Sequence, residues 1–482
     1  TWAELLDRVG RLAVVLRDDL ELAPGDHVAS VLANRVEWFE LALATLVTGV
    51  WLVPVNTHLQ PEEVAYVLED SGARVAFVDD LHRDAVAAAT RAVPMVSVDG
   101  DLDARVAAAP ARPIALDGPA GGRMHYTSGT TGRPKGVKRA LPPTAGEYLA
   151  QLGRMGRAVG LDGSGPHLLT GPHYHAAVGG YALFDLVNGA PVVMMPRFDA
   201  ARLLDLVAEH RIAHTHLVPT MMVRLLRLPD DVRARADTSS LTHVLHGAAP
   251  ISPATKHAML DWWGPVLTEY WGTSEAGTFT LISAAEWRAR PGSVGRPLPG
   301  VEVVVVGEDG RPVPTGEPGT LYCRMGATAQ PFRYHNDHEK TAAAYLEPGL
   351  FTMGDVGRVD EDGYVYLLDR ATNMIISGGV NIYPAEVEAA MLAHPAVADV
   401  AVFGIPDEEW GEQVKAAVEL VPGVAPTPDL AAELLAFARD RVAHYEAPRS
   451  IDFVDALPRL PSGKLRVEEL KAPYWEGRAR RI

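Results

Sequence analysis

The sequence predicts an α/β protein with a large N-terminal part of parallel-rich sheets flanked by helices, a β-rich subdomain, and a small α+β domain at the C-terminal end. Three observations carry this expectation. From Thr1 to about Trp271, helical patterns alternate with short apolar strands at 27–32, 51–55, 74–78, 191–195, 214–218 and 266–270, and such alternation sets parallel strands between covering helices. Between Gly295 and Met325 the pattern changes to Val301–Val306, a Glu308-Asp309-Gly310 turn and Gly319–Arg324, which reads as antiparallel β structure. After Leu368-Asp369-Arg370 a new unit begins, with a helix near 385–393, strands near 397–404 and 413–420 and a helix near 430–444. That is the size and pattern of a small α+β domain of about a hundred residues.

Thr1-Trp2-Ala3-Glu4 reads as a capping box for an amphipathic helix carrying Leu5, Val9, Leu12 and Leu16, so the given sequence opens on structure and leaves room for native residues upstream. No repeat of fixed period and no low-complexity tract interrupts it. A chain of 482 residues that is 48% hydrophobic can bury more than one core, and at least two domains are expected. The net charge of −17 argues against nucleic acid or an anionic membrane surface as a general partner, because a polyanion is repelled on average. One cysteine, Cys323, excludes an internal disulfide and suits a reducing compartment; its setting reads as a strand position, with a catalytic thiol as the alternative. No apolar run reaches the roughly 20 residues needed to span a bilayer, and no basic-then-apolar signal pattern opens the chain. The expected location is the cytoplasm.

The densest chemistry lies in Tyr126-Thr127-Ser128-Gly129-Thr130-Thr131-Gly132-Arg133-Pro134-Lys135-Gly136-Val137. Glycines let backbone N–H groups approach an anion closely, hydroxyls donate to phosphate oxygens, and Lys135 offsets negative charge, so the segment is suited to hold a polyphosphate rather than to serve as a surface linker. Its spacing differs from G-x-x-x-x-G-K-[ST], which separates it from the nucleoside-triphosphatase loop.

With this loop the sequence resembles the adenylate-forming superfamily of acyl-CoA synthetases, peptide-synthetase adenylation domains and firefly-type luciferases, and is most similar to bacterial acyl-CoA synthetases. The resemblance spans essentially the whole chain. It is carried further by His246-Gly247-Ala248-Ala249-Pro250, Glu269-Tyr270-Trp271-Gly272-Thr273-Ser274-Glu275, Thr352-Met353-Gly354-Asp355, Asp369-Arg370, Ser377-Gly378-Gly379-Val380-Asn381-Ile382-Tyr383-Pro384-Ala385-Glu386 and Pro461-Ser462-Gly463-Lys464. The resemblance implies an ATP- and acyl-binding domain over 1–368, a hinge at 369–373 and a mobile small domain over 374–482 that carries the catalytic lysine.

The implied chemistry joins a carboxylic acid to ATP as an acyl-adenylate, with pyrophosphate release, and then transfers the acyl group to CoA. Carboxylate attack on the α-phosphate brings two anions together, so cations must converge there. Lys464 matches the lysine that bridges them, with a solvated surface lysine as the bland alternative. ATP or AMP would meet Thr127, Ser128, Gly129, Thr130, Thr131, Gly132 and Lys135, the Gly247-Ala248-Ala249 turn, the Glu269–Ser274 strand, Asp355 at the ribose and Arg370. Mg²⁺ prefers hard oxygen ligands, and Thr127 and Glu275 match the family's metal contacts. Ser377, Gly378 and Gly379 match the loop past which a pantetheine arm runs, which favours CoA over a carrier protein.

His173-Tyr174-His175, followed by Gly179 and Gly180, matches the acyl-pocket segment. His175 would gate the pocket or orient a carboxylate, or else be a core histidine satisfied by backbone groups. The aspartate that pairs with an amino-acid ammonium is missing near it, which disfavours an amino-acid substrate. Three positions depart from the pattern: Trp271 stands where tyrosine is usual, Ser274 where threonine is usual, and Thr372 at the hinge where Asp or Lys is typical. The last motivates an alternative, an enzyme of one half-reaction only; a non-catalytic adenylate-binding protein is the reading from another class. A homodimer is compatible with the sequence, and the acid is left open among ring, fatty and polyketide-derived types.

Overall fold

The computed structural model of the chain describes residues 1–127, 134–370, 373–377, 380–407, 410–460 and 465–476, with the backbone alone at Asp369, Arg370 and Asn381. Thr1 caps the helix Trp2–Val14 through the expected capping box with Glu4, and Val9 and Leu12 turn into the core. Leu16 falls just beyond, in a π-helical turn at Val15–Asp19.

Four parallel strands follow, β1 (His27–Val31), β2 (Trp51–Pro54), β3 (Ala73–Val78) and β4 (Met95–Ser97), in the order β2-β1-β3-β4. β4 carries no readable signal because three residues are too few to show a period. Next comes the antiparallel hairpin β5 (His125–Thr127) and β6 (Lys135–Arg139), whose connection is the predicted phosphate loop.

The largest sheet contains β7 (His167–Leu169), β8 (Val192–Met194), β9 (His214–Leu217), β10 (His243–His246), β11 (Leu267–Thr273), β12 (Gly277–Ser283) and β13 (Arg296–Pro297). Their order is β13-β12-β11-β10-β9-β7-β8, parallel from β8 to β11 and antiparallel from β11 outward. Burial on both faces produces the continuous apolar runs that mark parallel strands. Polar side chains interrupt these runs, as in β9, where His214 and His216 are buried, each held by a polar partner, Asp185 for His214 at 2.8 Å and the Tyr270 hydroxyl for His216 at 3.1 Å.

The β-rich part is antiparallel, as its turn chemistry predicts. β14 (Val301–Val306), β15 (Gly319–Met325), β16 (Phe332–Tyr334), β17 (Tyr345–Glu347), β18 (Leu350–Val359) and β19 (Val365–Arg370) arise in that order. Five of them form one sheet, and β16 crosses back to pair with β6. Cys323 is buried in β15, and that burial raises its thiol pKa, which suppresses the thiolate a nucleophile needs.

Near the C-terminal end, β20 (Ile375–Ser377), β21 (Val380–Ile382), β22 (Val397–Asp407), β23 (Gly411–Leu420) and β24 (Ser450–Val454) make a separate sheet. Val387 and Met391 of the helix Pro384–Met391, with Leu434 and Ala438 of Pro428–Arg439, fill its core. The second helix ends at Arg439, short of the expected His444. Among the described residues no helix is long and apolar enough to cross a membrane.

Candidate active site

Thr127 ends β5 and faces the turn after β11, where its hydroxyl donates to Glu275 Oε1 at 3.4 Å. The Tyr334 hydroxyl, on β16, donates to the same oxygen at 3.4 Å. Lys340 stacks its ammonium 4.2 Å from the centre of the Tyr334 ring, and burial lowers its pKa while Glu275 opposes that effect. Lys135, at the start of β6, pairs with Asp337 at 3.3 Å, and the hydrogen bond to that carboxylate raises its pKa. The mouth of the phosphate loop thus gathers two oxygen donors of the kind a hard dication takes, beside two ammonium groups suited to phosphate oxygens. Thr127 and Glu275 fit the first role: they are close, oxygen-bearing and only half-buried.

The turn after β10 lies beside this mouth. A Cβ on Gly247 would stand 2.5 Å from the Tyr270 carbonyl oxygen, so only glycine lets this turn approach β11. Ala248 has φ 66°, a left-handed conformation that costs a non-glycine residue about a kcal/mol or more and is characteristic of ligand-facing turns. Ala249 follows it. Of the β11 residues, Trp271 donates its indole N–H to Asp355 Oδ2 at 2.9 Å, which joins the expected adenine-side ring to the expected ribose acceptor. The rest of its ring packs edge-on to Phe279 at 4.9 Å. A Cβ on Gly272 would lie 2.4 Å from the Gly277 carbonyl oxygen, which keeps β11 and β12 in close register. Thr273 and Ser274 offer their carbonyls to the Arg139 guanidinium, Ser274 at 2.9 Å.

Trp271 is itself buried in the core of the β-rich part, and two further residues named for the nucleotide side have their side chains in the interior. Glu269 forms a buried ion pair with Lys256 of the helix Pro253–Trp263. Tyr270 is buried between His216 and the Tyr181 ring, the latter 5.1 Å away. Alternation along β11 puts Tyr270 on the face opposite Trp271; Glu269 shares the Trp271 face, and it is the pairing with Lys256 that holds its carboxylate in the interior.

On the acyl side, His173 also lies within the wall rather than on it. Its ring stacks on Trp38 at 4.8 Å, its Nε2 meets the Ala33 carbonyl at 3.0 Å, and burial pushes its pKa down to about 4. Gly179 serves the same packing, because a Cβ there would stand 2.1 Å from the His173 carbonyl oxygen. His175 is the N-cap of the helix Ala176–Val187, half-buried, with its ring 4.7 Å from that of Tyr174. Gly180, one residue beyond Gly179, faces Arg123.

Ser377 ends β20 and pairs with Gly411 of β23. Ser128, Gly129, Thr130, Thr131, Gly132, Thr372, Gly378, Gly379 and Lys464 lie outside the described residues, as does the Arg370 side chain. Sequence reasoning passed over Tyr334, Asp337, Lys340, Lys256, Arg139 and Arg123. Arg139 was within reach, since alternation from Lys135 along β6 places it on the same face; Tyr334, Asp337 and Lys340 reach the site only because β16 pairs with β6.

Comparison with known proteins identifies the family. Residues 1–331 match the family described as AMP-binding enzyme, and residues 386–464 match the AMP-binding enzyme C-terminal domain. The chain is 36% identical over 477 residues to a feruloyl-CoA synthase of an Amycolatopsis species, covering 98% of this chain and 94% of the relative. It is 32% identical over 486 residues to the long-chain-fatty-acid–CoA ligase FadD13 of Mycobacterium tuberculosis, covering 98% and 93%. The crystal structure of ATP-bound MatB from Rhodopseudomonas palustris superposes with a TM-score of 0.85 at 30% identity, covering 98% of this chain and 93% of the other. A chain whose two matched regions, fold and full-length relatives all agree in this way belongs to the AMP-binding enzyme family, the adenylate-forming enzymes.

Proposed function

We propose that this chain is an AMP-forming acyl-CoA ligase, which converts a carboxylic acid and ATP to acyl-AMP and pyrophosphate and then the acyl-AMP and CoA to the thioester and AMP. The observation that carries the reading is the convergence of Thr127, Glu275, Lys135 and Lys340 at the mouth of the phosphate loop, with Trp271 and Asp355 joined nearby. Full-length relatives named as CoA ligases support the acceptor.

In this reading Trp271 borders the adenine, Asp355 accepts from the ribose hydroxyls, and the strained Ala248 turn presents backbone to the nucleotide. The loop from Thr127 to Lys135 receives the phosphates, with Arg370 adding charge. Lys464 bridges the attacking carboxylate and the α-phosphate, offsetting the charge that builds as the new bond forms. Thr127 and Glu275 would hold Mg²⁺, which when bound neutralises charge across the phosphates. His175 stands at the entrance to the acyl side. Ser377, Gly378 and Gly379 flank the pantetheine arm in the second step, when the unit over 374–482 turns about 369–373 relative to 1–368. Such a soluble reaction suits the cytoplasm.

The test is incubation with a carboxylic-acid panel, ATP, Mg²⁺ and CoA, read by mass spectrometry, for the parent and Lys464→Ala. Thioester and AMP are expected from the parent, and a loss of adenylate on the order of 10²–10³-fold from the variant. Adenylate without thioester points to the single half-reaction that the neutral hinge residue Thr372 motivates. No adenylate with any acid refutes the reading.

A further inference from the structure

Two guanidinium groups have no role in the chemistry described so far. The β5–β6 register pairs Thr127 with Lys135 and His125 with Val137, so the next pair inward on the same face is Arg123 opposite Arg139. The Arg123 backbone is held at this place by a bridge to Leu52 of β2. The hairpin face therefore runs from the phosphate end at Thr127 and Lys135 to two arginines roughly 13 Å further in.

A glycine stands next to each. A Cβ on Gly277 would come within 3.3 Å of Arg139 Nη1, and a Cβ on Gly180 would meet only Arg123 Nη2, at 4.0 Å. Arg123 donates a hydrogen bond to the Tyr148 hydroxyl, which lies near Arg139 as well, and Tyr181 and His125 are close by. Arg139 spends Nε and Nη2 on the Ser274 carbonyl. Arg123 Nη1 is buried and has no hydrogen-bond partner. Among the described residues no ion pair holds either guanidinium; the carboxylate that acts on Arg139 is Glu275, already committed to the phosphate mouth.

Such a pair is unfavourable as it stands. Like charges opposite on neighbouring strands repel, and a partly buried cation without an ion-pair partner carries a desolvation cost that Tyr148, the Ser274 carbonyl and Glu275 offset only in part. Arginine stays protonated in proteins, so the pair does not escape by losing protons. A carboxylate brought between the two side chains would relieve the repulsion and take bidentate hydrogen bonds from the planar guanidinium.

We infer that the acid activated by this enzyme carries a second carboxylate at the end remote from the one adenylated, and that Arg123 and Arg139 receive it. This rests on the acyl-CoA ligase reading and names its substrate class. His125 and His216 nearby are held neutral by burial, His216 at about 3, so they act as hydrogen-bonding wall rather than as added charge. The bonds from Arg139 to Ser274 fix the Glu275 turn and give that arginine a structural task too; Arg123 has no such task, which makes it the better probe.

The experiment measures kcat/KM for pyrophosphate release with linear α,ω-dicarboxylic acids and 4-carboxycinnamic acid, each beside its distal methyl ester, for the parent, Arg123→Gln and Arg123→Lys. Thermal melting of each protein with each acid is recorded in parallel. A free diacid is expected to exceed its ester on the order of 10²-fold in the parent, as for a site built around a polar group that the analogue lacks. That ratio should collapse in Arg123→Gln and partly return in Arg123→Lys. Esters turned over as well as every diacid, or a ratio unmoved in a folded Arg123→Gln, overturn the inference while leaving the ligase reading intact. If no acid is turned over, the ligase reading fails instead, and the site is then scored by melting: stabilisation by diacid alone, absent in Arg123→Gln, supports it, and its absence in the parent overturns it.

Discussion

Lys256 and Glu269 offer a severe test of how the candidate site is held. Lys256 lies on the helix that follows the Ala248 turn, Glu269 on β11 just before Trp271, and both side chains are buried as an ion pair. Burial lowers the lysine pKa and raises that of the glutamate, and each partner counters the shift of the other. The ammonium also sits 4.5 Å from the centre of the Trp287 ring. Lys256→Met keeps most of the volume but strands a carboxylate in the core, which costs about 3–5 kcal/mol. For a unit of this size that corresponds to a fall in melting temperature of roughly 5–10 °C. Replacing both partners in Lys256→Met/Glu269→Leu removes the stranded charge and should recover most of the loss. Thermal and urea melts of the two single variants and the double variant close the cycle. A single variant that melts with the parent, or a double variant no better than the singles, refutes the buried-pair account; a raised KM for ATP in a stable double variant returns Glu269 to the nucleotide site.

Trp271→Phe removes the N–H that steadies Asp355, and its expected effect is a rise in KM for ATP of up to about ten-fold with folding retained, since one buried acceptor loses its donor; an unchanged KM refutes the link. Glu275→Gln should lower adenylation and recover in part at high Mg²⁺, because an amide is a poorer ligand for a hard dication, and overlaid magnesium titrations would remove Glu275 from the metal site. Burial, the largest cause in each case, pushes His27 and His173 down to about 4 and His216 to about 3. The unfolded chain takes protons near pH 6.5 that the folded chain refuses, so this stability is present above pH 6.5 and lost as pH falls toward 4. Denaturant midpoints from pH 7 to 5 should fall, with a shallower slope in His216→Phe; parallel slopes show that His216 does not contribute.

The sequence by itself determined the α/β alternation, the later antiparallel segment and the family resemblance, because each is written in consecutive residues. A loop of glycines and hydroxyls ending in Lys135 declares its chemistry locally, and apolar period distinguishes the strands of the first 271 residues from the β14–β15 hairpin. Tertiary structure alone decided which groups meet. Glu275 reaches Thr127 and Tyr334, Trp271 reaches Asp355, and Glu269 reaches Lys256 across separations that carry no local signal. Strand pleating then set Tyr270 on the face opposite Trp271, the ion pair with Lys256 held Glu269 in the interior, and packing against Trp38 drew His173 into the wall. The opposed arginines show the same division: Arg123 and Arg139 are legible as residues, but only the hairpin register brings two half-buried positive charges face to face, where their repulsion favours an anion.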